Sequence, residues 1–318
     1  MTASDVRYCL YSWSPHEERL FNEHGSKPVP ISGLYNWASV MGGVRRYLPT
    51  PKSAEGFTHI HVNVTSLSLQ AIPFIRSIAD AVGAKLIANV DYAVELWTEN
   101  LKFPHLLASM LDKVDFVFSV NSEMSWALSS LIKRPVYTIP HPTNGEALKK
   151  LASSHASYVS GSIATVLHRY DKNFIPAWLI INGLSCRNGL FGTLDFDHAM
   201  FPLFDDIRLN LPFEDFCAAL TRYEVVLDSY TLLSYGRVQV ECAFLGIPCV
   251  GFSCVESQNL LWPSFSVPVN SLRRAREAVL SAFSDQSRRI AVPSALRTAE
   301  NVYSYAACRT AMLRLICP

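Results

Sequence analysis

The sequence lacks a charge bias. Its 318 residues carry 28 basic and 27 acidic side chains. The balance also holds locally, with 12 of each in residues 1–145 and 16 against 15 in residues 146–318. A nucleic-acid or membrane-surface module leaves a basic footprint, so neither half reads as one. The arginines that gather at Arg273, Arg274, Arg276, Arg288, Arg289 and Arg297 read as a solvated helix face. Long apolar runs are missing too: the stretch from Val238 to Val255 is interrupted by Glu241 and by Gly246-Ile-Pro248, whereas a membrane span needs ~20 apolar residues. The cysteines at 9, 186, 217, 242, 249, 254, 308 and 317 show no CxxC spacing and no regular framework. Most lie in apolar runs and read as reduced core thiols of a cytoplasmic protein. There is no charged-then-apolar leader at the N-terminus, no internal repeat, and no G-x-S-x-G elbow to support a serine hydrolase.

What is present is globular. With 49% hydrophobic and 17% charged residues, composition excludes disordered, collagen-like and coiled-coil chains. At ~100–200 residues per domain the length implies two domains, each able to bury its own core. Short β-branched runs alternate with helical-period segments, the pattern of parallel strands joined by right-handed crossovers. In the first half the strands are expected at Arg7–Trp13, His59–Val64, Lys85–Val90, Phe116–Val120 and Val136–Ile139. Helices are expected at Leu69–Val82, Phe103–Asp112 and Ser122–Ile132, with Ser122 as N-cap. Residues 14–34 read as a long loop of the kind that binds ligands in open α/β sheets.

The prolines and Asn-Gly pair of Ile139-Pro-His-Pro-Thr-Asn-Gly145 end both strand and helix, which places a linker there and divides the chain into 1–143 and 144–318. Beyond it, strands are expected at Ala164–Leu167, Asp206–Leu209, Val225–Leu227 and Pro248–Phe252. Helices are expected at Asn173–Asn182, Phe213–Arg222, Arg237–Leu245 and Ser271–Phe283, with one closing helix over Ser294–Leu315.

The stretch from Leu227 to Gly251 carries the most chemistry. It reads as a buried strand, a loop ending at Gly236, a helix stopping at Gly246 and a second buried strand. Gly236 lets the backbone approach a ligand, and the helix that follows presents unpaired N–H groups and a positive dipole end suited to a diphosphate. Glu241 sits in this otherwise apolar helix, where a carboxylate is costly without a partner. Two other constellations are weaker. His59-x-His61 puts both imidazoles on one strand face but has no third metal ligand at recognisable spacing, so both read as core or cleft-rim residues. Asp195-x-Asp197 lies in a Gly- and Phe-rich connection and reads as loop chemistry.

The run from Ser234 through Gly251 resembles the donor-binding segment of retaining glycosyltransferases with the glycosyltransferase B fold. Gly236, Glu241-Cys-Ala-Phe and Gly246-Ile-Pro-Cys-Val stand where that family has a Gly, a Glu-Ala-Met-Ala-like helix start and a Gly-x-Pro-Val strand start. Asp115-Phe-Val-Phe-Ser-Val-Asn-Ser122 and Tyr137-Thr-Ile-Pro-His-Pro-Thr-Asn144 are similar to its last N-terminal strands and linker. His168-Arg-Tyr-Asp-Lys-Asn173 is similar to its diphosphate-flanking segment, and Gly42-Gly43 before Val44-Arg-Arg-Tyr47 to its Gly-rich loop.

The resemblance implies two Rossmann-like, doubly wound α/β domains facing across a cleft, with the last helix crossing back to the first. It implies metal-independent transfer with retention, a nucleotide sugar as co-substrate and no other cofactor. Arg169 and Lys172 would stabilise the departing diphosphate, Asp91 would orient the acceptor hydroxyl, and Ser234, Tyr235, Gly236, Arg237, Glu241, Gly42 and Gly43 would hold the donor. Two positions depart from the family pattern. Leu233 stands where a sugar-contacting Glu is common, a role left to Asp228 or Ser234, and Val90 stands where a His commonly follows the fourth strand. Two alternatives stay open on these residues: a glycosyltransferase acting on modified (hydroxymethyl) DNA bases, and a non-catalytic nucleotide-sugar-binding or interaction protein of the same fold.

Overall fold

The computed structural model describes residues 5–12, 33–47, 49–64, 66–91, 103–154, 158–167, 170–192 and 204–317. They divide into two compact units. The first comprises Met1–Pro142, Leu233–Tyr235 and Ser304–Pro318, and the second Thr143–Leu232 and Gly236–Tyr303. Besides residues 1–142, the first unit thus takes in a three-residue loop, which a linear cut near residue 143 leaves out, and the terminal helix Tyr305–Ile316, the helix expected to cross back.

The first unit is built on β1 (Tyr8–Ser12), β2 (Val44–Tyr47), β3 (His59–Asn63), β4 (Lys85–Val90), β5 (Phe116–Ser119) and β6 (Tyr137–Thr138). They form one sheet in the order β2-β1-β3-β4-β5-β6, and every pairing is parallel. Side chains alternate across a strand, so each strand feeds two cores. Cys9, Tyr11, Ile60, Val62 and Leu86 pack on one face with Leu107, Met124 and Leu128. Tyr8, Leu10, Ile87 and Phe118 pack on the other with Trp37, Cys308 and Met312. Helices cover both faces, which is why the strands read as apolar runs rather than as alternating ones.

The second unit repeats the plan with β7 (Val159–Leu167), β8 (Arg187–Gly192), β9 (Asp206–Leu209), β10 (Tyr223–Asp228), β11 (Cys249–Phe252) and β12 (Ser266–Val267). The order is β12-β11-β10-β7-β8-β9, again all parallel. Strand β10 is buried along its whole length.

Several expectations are corrected. The closing helix is two helices, Asp285–Val302 and Tyr305–Ile316, and Ser304 starts the second by accepting a hydrogen bond from the Ala307 amide. The N-cap of Ser122–Ile132 is Asn121, whose side chain accepts from the amides of Glu123 and Met124. Strands β2, β8 and β12, and the helices Asn36–Met41, Pro51–Ala54, Gly145–Ser154 and Glu256–Leu261, were not expected. Most of the 14–34 loop and the Asp195-x-Asp197 pair lie outside the described residues. Among the described residues no helix is long and apolar enough to cross a membrane.

Candidate functional site

In the second unit the chain leaves β10 at Asp228 and re-enters as the helix Arg237–Leu245. Gly236 precedes that helix with φ +80°, and a Cβ there would lie 2.1 Å from Ser257 Oγ and 2.2 Å from Val255 Cγ1. Only glycine combines this left-handed backbone with so little space. The turn is tied further by Ser257, whose hydroxyl donates to the Gly236 carbonyl at 2.8 Å. Trp262 holds the next turn, its indole N–H donating to the Gln239 carbonyl at 3.1 Å. The first helix amides are thus presented from a rigid backbone.

Within this helix every residue from Val238 to Leu245 is buried, and Glu241 is fully so. Its Oε1 lies 3.2 Å from Nε of Arg237, one turn earlier. Arg237 is itself half-exposed and stacks over Phe213 at 5.5 Å. The carboxylate has no exposed surface, so a hydroxyl brought to the helix start reaches it only where the half-exposed Arg237 side chain gives way. Asp228 is differently placed. Its Oδ2 accepts from Gln239 Nε2 at 3.0 Å and its Oδ1 from the Tyr230 amide at 3.2 Å, so its carboxylate staples the loop.

The first unit gathers polar side chains at the carboxyl ends of β4 and β6. Asp91 follows β4 directly, and its Oδ2 lies 3.2 Å from Nε2 of the buried His141. The other ring nitrogen, Nδ1, accepts the Trp37 indole N–H at 3.2 Å. An indole can only donate, so Nδ1 carries no proton and Nε2–H points at the carboxylate. Tyr235 donates its hydroxyl to the His141 carbonyl at 2.9 Å, and Asn121 Nδ2 donates to the Ser234 carbonyl at 3.1 Å. His141 was not singled out by sequence: its partners lie 104 and 50 residues away, and Pro-His-Pro reads only as a linker.

The His59-x-His61 pair is internal. Both are fully buried. His61 receives the Tyr8 hydroxyl on Nδ1 and donates from Nε2 to Asn89 Oδ1 at 2.7 Å. Asn89 passes the chain on, donating to Asn63 Oδ1 at 2.6 Å. Burial, with the nearby His141 adding to it, holds the His61 pKa down at about 3 despite the Asn89 bond. Desolvation likewise lowers His59, which stacks on Phe116. Among the described residues no three His, Cys, Asp or Glu side chains converge as a metal site.

The expected residues therefore separate. Gly236, Arg237 and Glu241 come together in the second unit, whereas Asp91, Ser234 and Tyr235 belong to the first. Leu233 also belongs to the first unit, and Val90 is buried at the end of β4. Gly42 ends the helix Asn36–Met41 with φ +67°, and a Cβ on Gly43 would lie 2.2 Å from the Tyr8 carbonyl oxygen. This pair therefore sits beside the amino-terminal end of β1, whereas Asp91 follows the carboxyl-terminal end of β4. His168 and Arg169 lie outside the described residues, and Lys172 falls in the helix Tyr170–Ile181 without a described side chain.

No protein-family model matches the chain, and no curated protein matches it. Solved structures do. HepE of Anabaena, in complex with UDP and glucose, aligns over 98% of this chain and 99% of its own at 11% identity, with a TM-score of 0.68. Sucrose-phosphate synthase from Thermosynechococcus elongatus aligns over 98% of both chains at 13% identity, also with a TM-score of 0.68. An α,α-trehalose-phosphate synthase (UDP-forming) from Burkholderia vietnamiensis aligns over 80% of this chain and 69% of its own at 12% identity, with a TM-score of 0.65. The chain has the glycosyltransferase B fold that these structures share.

Proposed function

We propose that this protein is a glycosyltransferase that takes a sugar from a nucleotide sugar, held by the second unit, and passes it to a hydroxyl of an acceptor held by the first. The observation that carries the reading is Glu241, fully buried one turn inside a helix that starts from Gly236, where no side chain fits. Amides at that helix start suit a diphosphate, and the carboxylate suits the ribose hydroxyls beside it. Fold alone would not give the chemistry. The solved structures with this fold add a donor to try first, since one of them holds UDP-glucose.

The proposed reaction proceeds with retention. The acceptor hydroxyl attacks from the side on which the diphosphate leaves, and the departing phosphate oxygen takes the hydroxyl proton. Negative charge grows on the diphosphate as the glycosidic bond breaks, and preorganised donors there lower the barrier. Arg169 and Lys172 supply those cations, so no divalent metal is needed, and Asp91 orients the acceptor hydroxyl. Arg169 carries most of the effect because a guanidinium engages two phosphate oxygens and keeps its proton. No disulfide joins any of the eight cysteines, which fits action in the cytoplasm. The test is transfer from UDP-glucose and other nucleotide sugars in the presence of a chelator. Arg169→Ala should lower turnover by ~100–1,000-fold, with Arg169→Lys recovering part of it. Near-full turnover in Arg169→Ala, or a strict need for manganese, would refute this assignment.

A further inference from the structure

The amino-terminal edge of the second sheet holds a recess that the donor reading leaves unused. It lies at the Tyr223 end of β10, whereas the donor helix follows from the Asp228 end; five strand steps of ~3.3 Å separate those ends by ~17 Å. The recess has a volume of about 140 Å³ and is lined by Val159, Arg187, Asp206, Arg208, Arg222 and Tyr223. At ~30 Å³ per water it has room for roughly four to five waters, comparable to one tetrahedral oxyanion.

Its charges do not cancel. Three arginines and one aspartate line it, and the aspartate's carboxylate is committed. Oδ2 of Asp206 accepts from Arg208 Nε at 2.8 Å and from the Tyr223 hydroxyl at 3.1 Å. The Tyr223 arrangement is built into the sheet: a Cβ on Gly189, the residue registered against Asp206, would lie 2.2 Å from the Tyr223 hydroxyl oxygen. Burial and the adjacent Asp206 push the Tyr223 pKa up to about 12, so the phenol remains a proton donor to that carboxylate. Arg187 and Arg222 are exposed and have no ion-pair partner among the described residues. Two uncompensated guanidinium groups at one small recess are mutually repulsive until an anion fills it, and their planar forks match phosphate oxygens.

The surroundings select more than a bare anion. A second recess of about 360 Å³ shares Arg208 and Arg222 with the first and continues along Leu211, Asp215, Ala218 and Ala219. Apolar walls with one carboxylate fit the carbon skeleton and hydroxyls of a small polyol. We propose that this edge of the second unit is a binding site for a sugar phosphate, its phosphate between Arg187 and Arg222 and its hydroxyls toward Asp215.

The test is calorimetric titration of the full chain at fixed ionic strength with glucose 6-phosphate, inorganic phosphate and glucose, alongside UDP-glucose as a control for the donor site. Glucose 6-phosphate should bind one to one and more tightly than inorganic phosphate, and glucose should not bind. The double variant Arg187→Gln/Arg222→Gln should weaken glucose 6-phosphate by at least about tenfold, while its melting temperature and its response to UDP-glucose stay at the wild-type level. Arg222→Lys, which keeps the charge and loses the fork, should weaken it less. Asp215→Asn should weaken glucose 6-phosphate and leave inorganic phosphate unchanged. Unchanged affinity in the double variant, or no saturable binding of either phosphate at about 10 mM, overturns the site. Equal affinities for the two phosphates, both indifferent to Asp215→Asn, overturn the sugar-phosphate assignment.

Discussion

His141 and Asp91 meet at 3.2 Å, Nε2 to Oδ2, with the imidazole oriented from its other side by the Trp37 indole. This aims the Asp91 carboxylate, about one-third exposed at the end of β4. In Asp91→Asn the new amide can still accept the Nε2–H of His141 through its carbonyl oxygen. The variant should therefore keep the melting temperature and donor affinity while lowering transfer by roughly 10–100-fold. Steady-state kinetics with each substrate varied would check this; a matching loss of donor affinity would place Asp91 elsewhere in the reaction.

Gly236 and Gly56 make a paired test of packing against backbone strain. Their φ values are +80° and +83°, yet a Cβ at Gly56 meets nothing within 4 Å, while one at Gly236 meets Ser257 and Val255 at close range. Gly56→Ala should cost only the left-handed penalty of ~1–2 kcal/mol. Gly236→Ala should add overpacking of ~1–3 kcal/mol and weaken nucleotide-sugar binding. Urea unfolding of both variants measures the difference.

Asn121 does two jobs with one amide: its oxygen caps Ser122–Ile132 and its nitrogen donates to the Ser234 carbonyl. Aspartate keeps the cap and loses the donor. Asn121→Asp should retain the helix and speed amide exchange in Leu233–Tyr235, whereas Asn121→Ala should also lose ~1 kcal/mol of stability. Hydrogen exchange followed by mass spectrometry separates the two effects.

Acid should destabilise the first unit through its buried imidazoles. The folded pKa of His61 is depressed to about 3, so below the ordinary value of ~6.5 the unfolded chain takes up a proton that the folded chain does not. Stability gained from the neutral imidazole is complete above that value and is lost as pH falls from ~6.5 toward 3, at up to ~1.4 kcal/mol per pH unit for one group. His59 shifts in the same direction. His61→Gln should flatten the pH dependence of the urea midpoint between about pH 6.5 and 4 by up to about one proton.

The sequence made the helix Arg237–Leu245 readable to the residue because Gly236 and Gly246 bracket it with left-handed caps. The four interior strands of the first sheet, β1, β3, β4 and β5, were legible to within one residue at each end as β-branched or apolar runs. Strand β8 was hidden because Arg187-Asn-Gly-Leu-Phe-Gly192 reads as turn-forming; Gly189 is there to admit the Tyr223 ring, a reason no local pattern contains. The break at Tyr303-Ser304 has neither Gly nor Pro to mark it. At the site, Glu241 stood out because a lone carboxylate in an apolar helix is costly. His141 and Asn121 gained their roles only through partners far along the chain, and distance in sequence carries no local signal.

The most direct test of the central claim is calorimetric titration of UDP-glucose into the wild-type chain and Glu241→Gln. The glutamine keeps the shape and can still accept from Arg237, but it loses the charge-assisted bonds to the ribose. One-to-one binding by the wild type, weakened by ~1–3 kcal/mol in the variant at an unchanged melting temperature, is the predicted result. Undiminished binding by Glu241→Gln, or a large fall in its melting temperature without loss of affinity, would contradict it and make Glu241 a structural partner of Arg237.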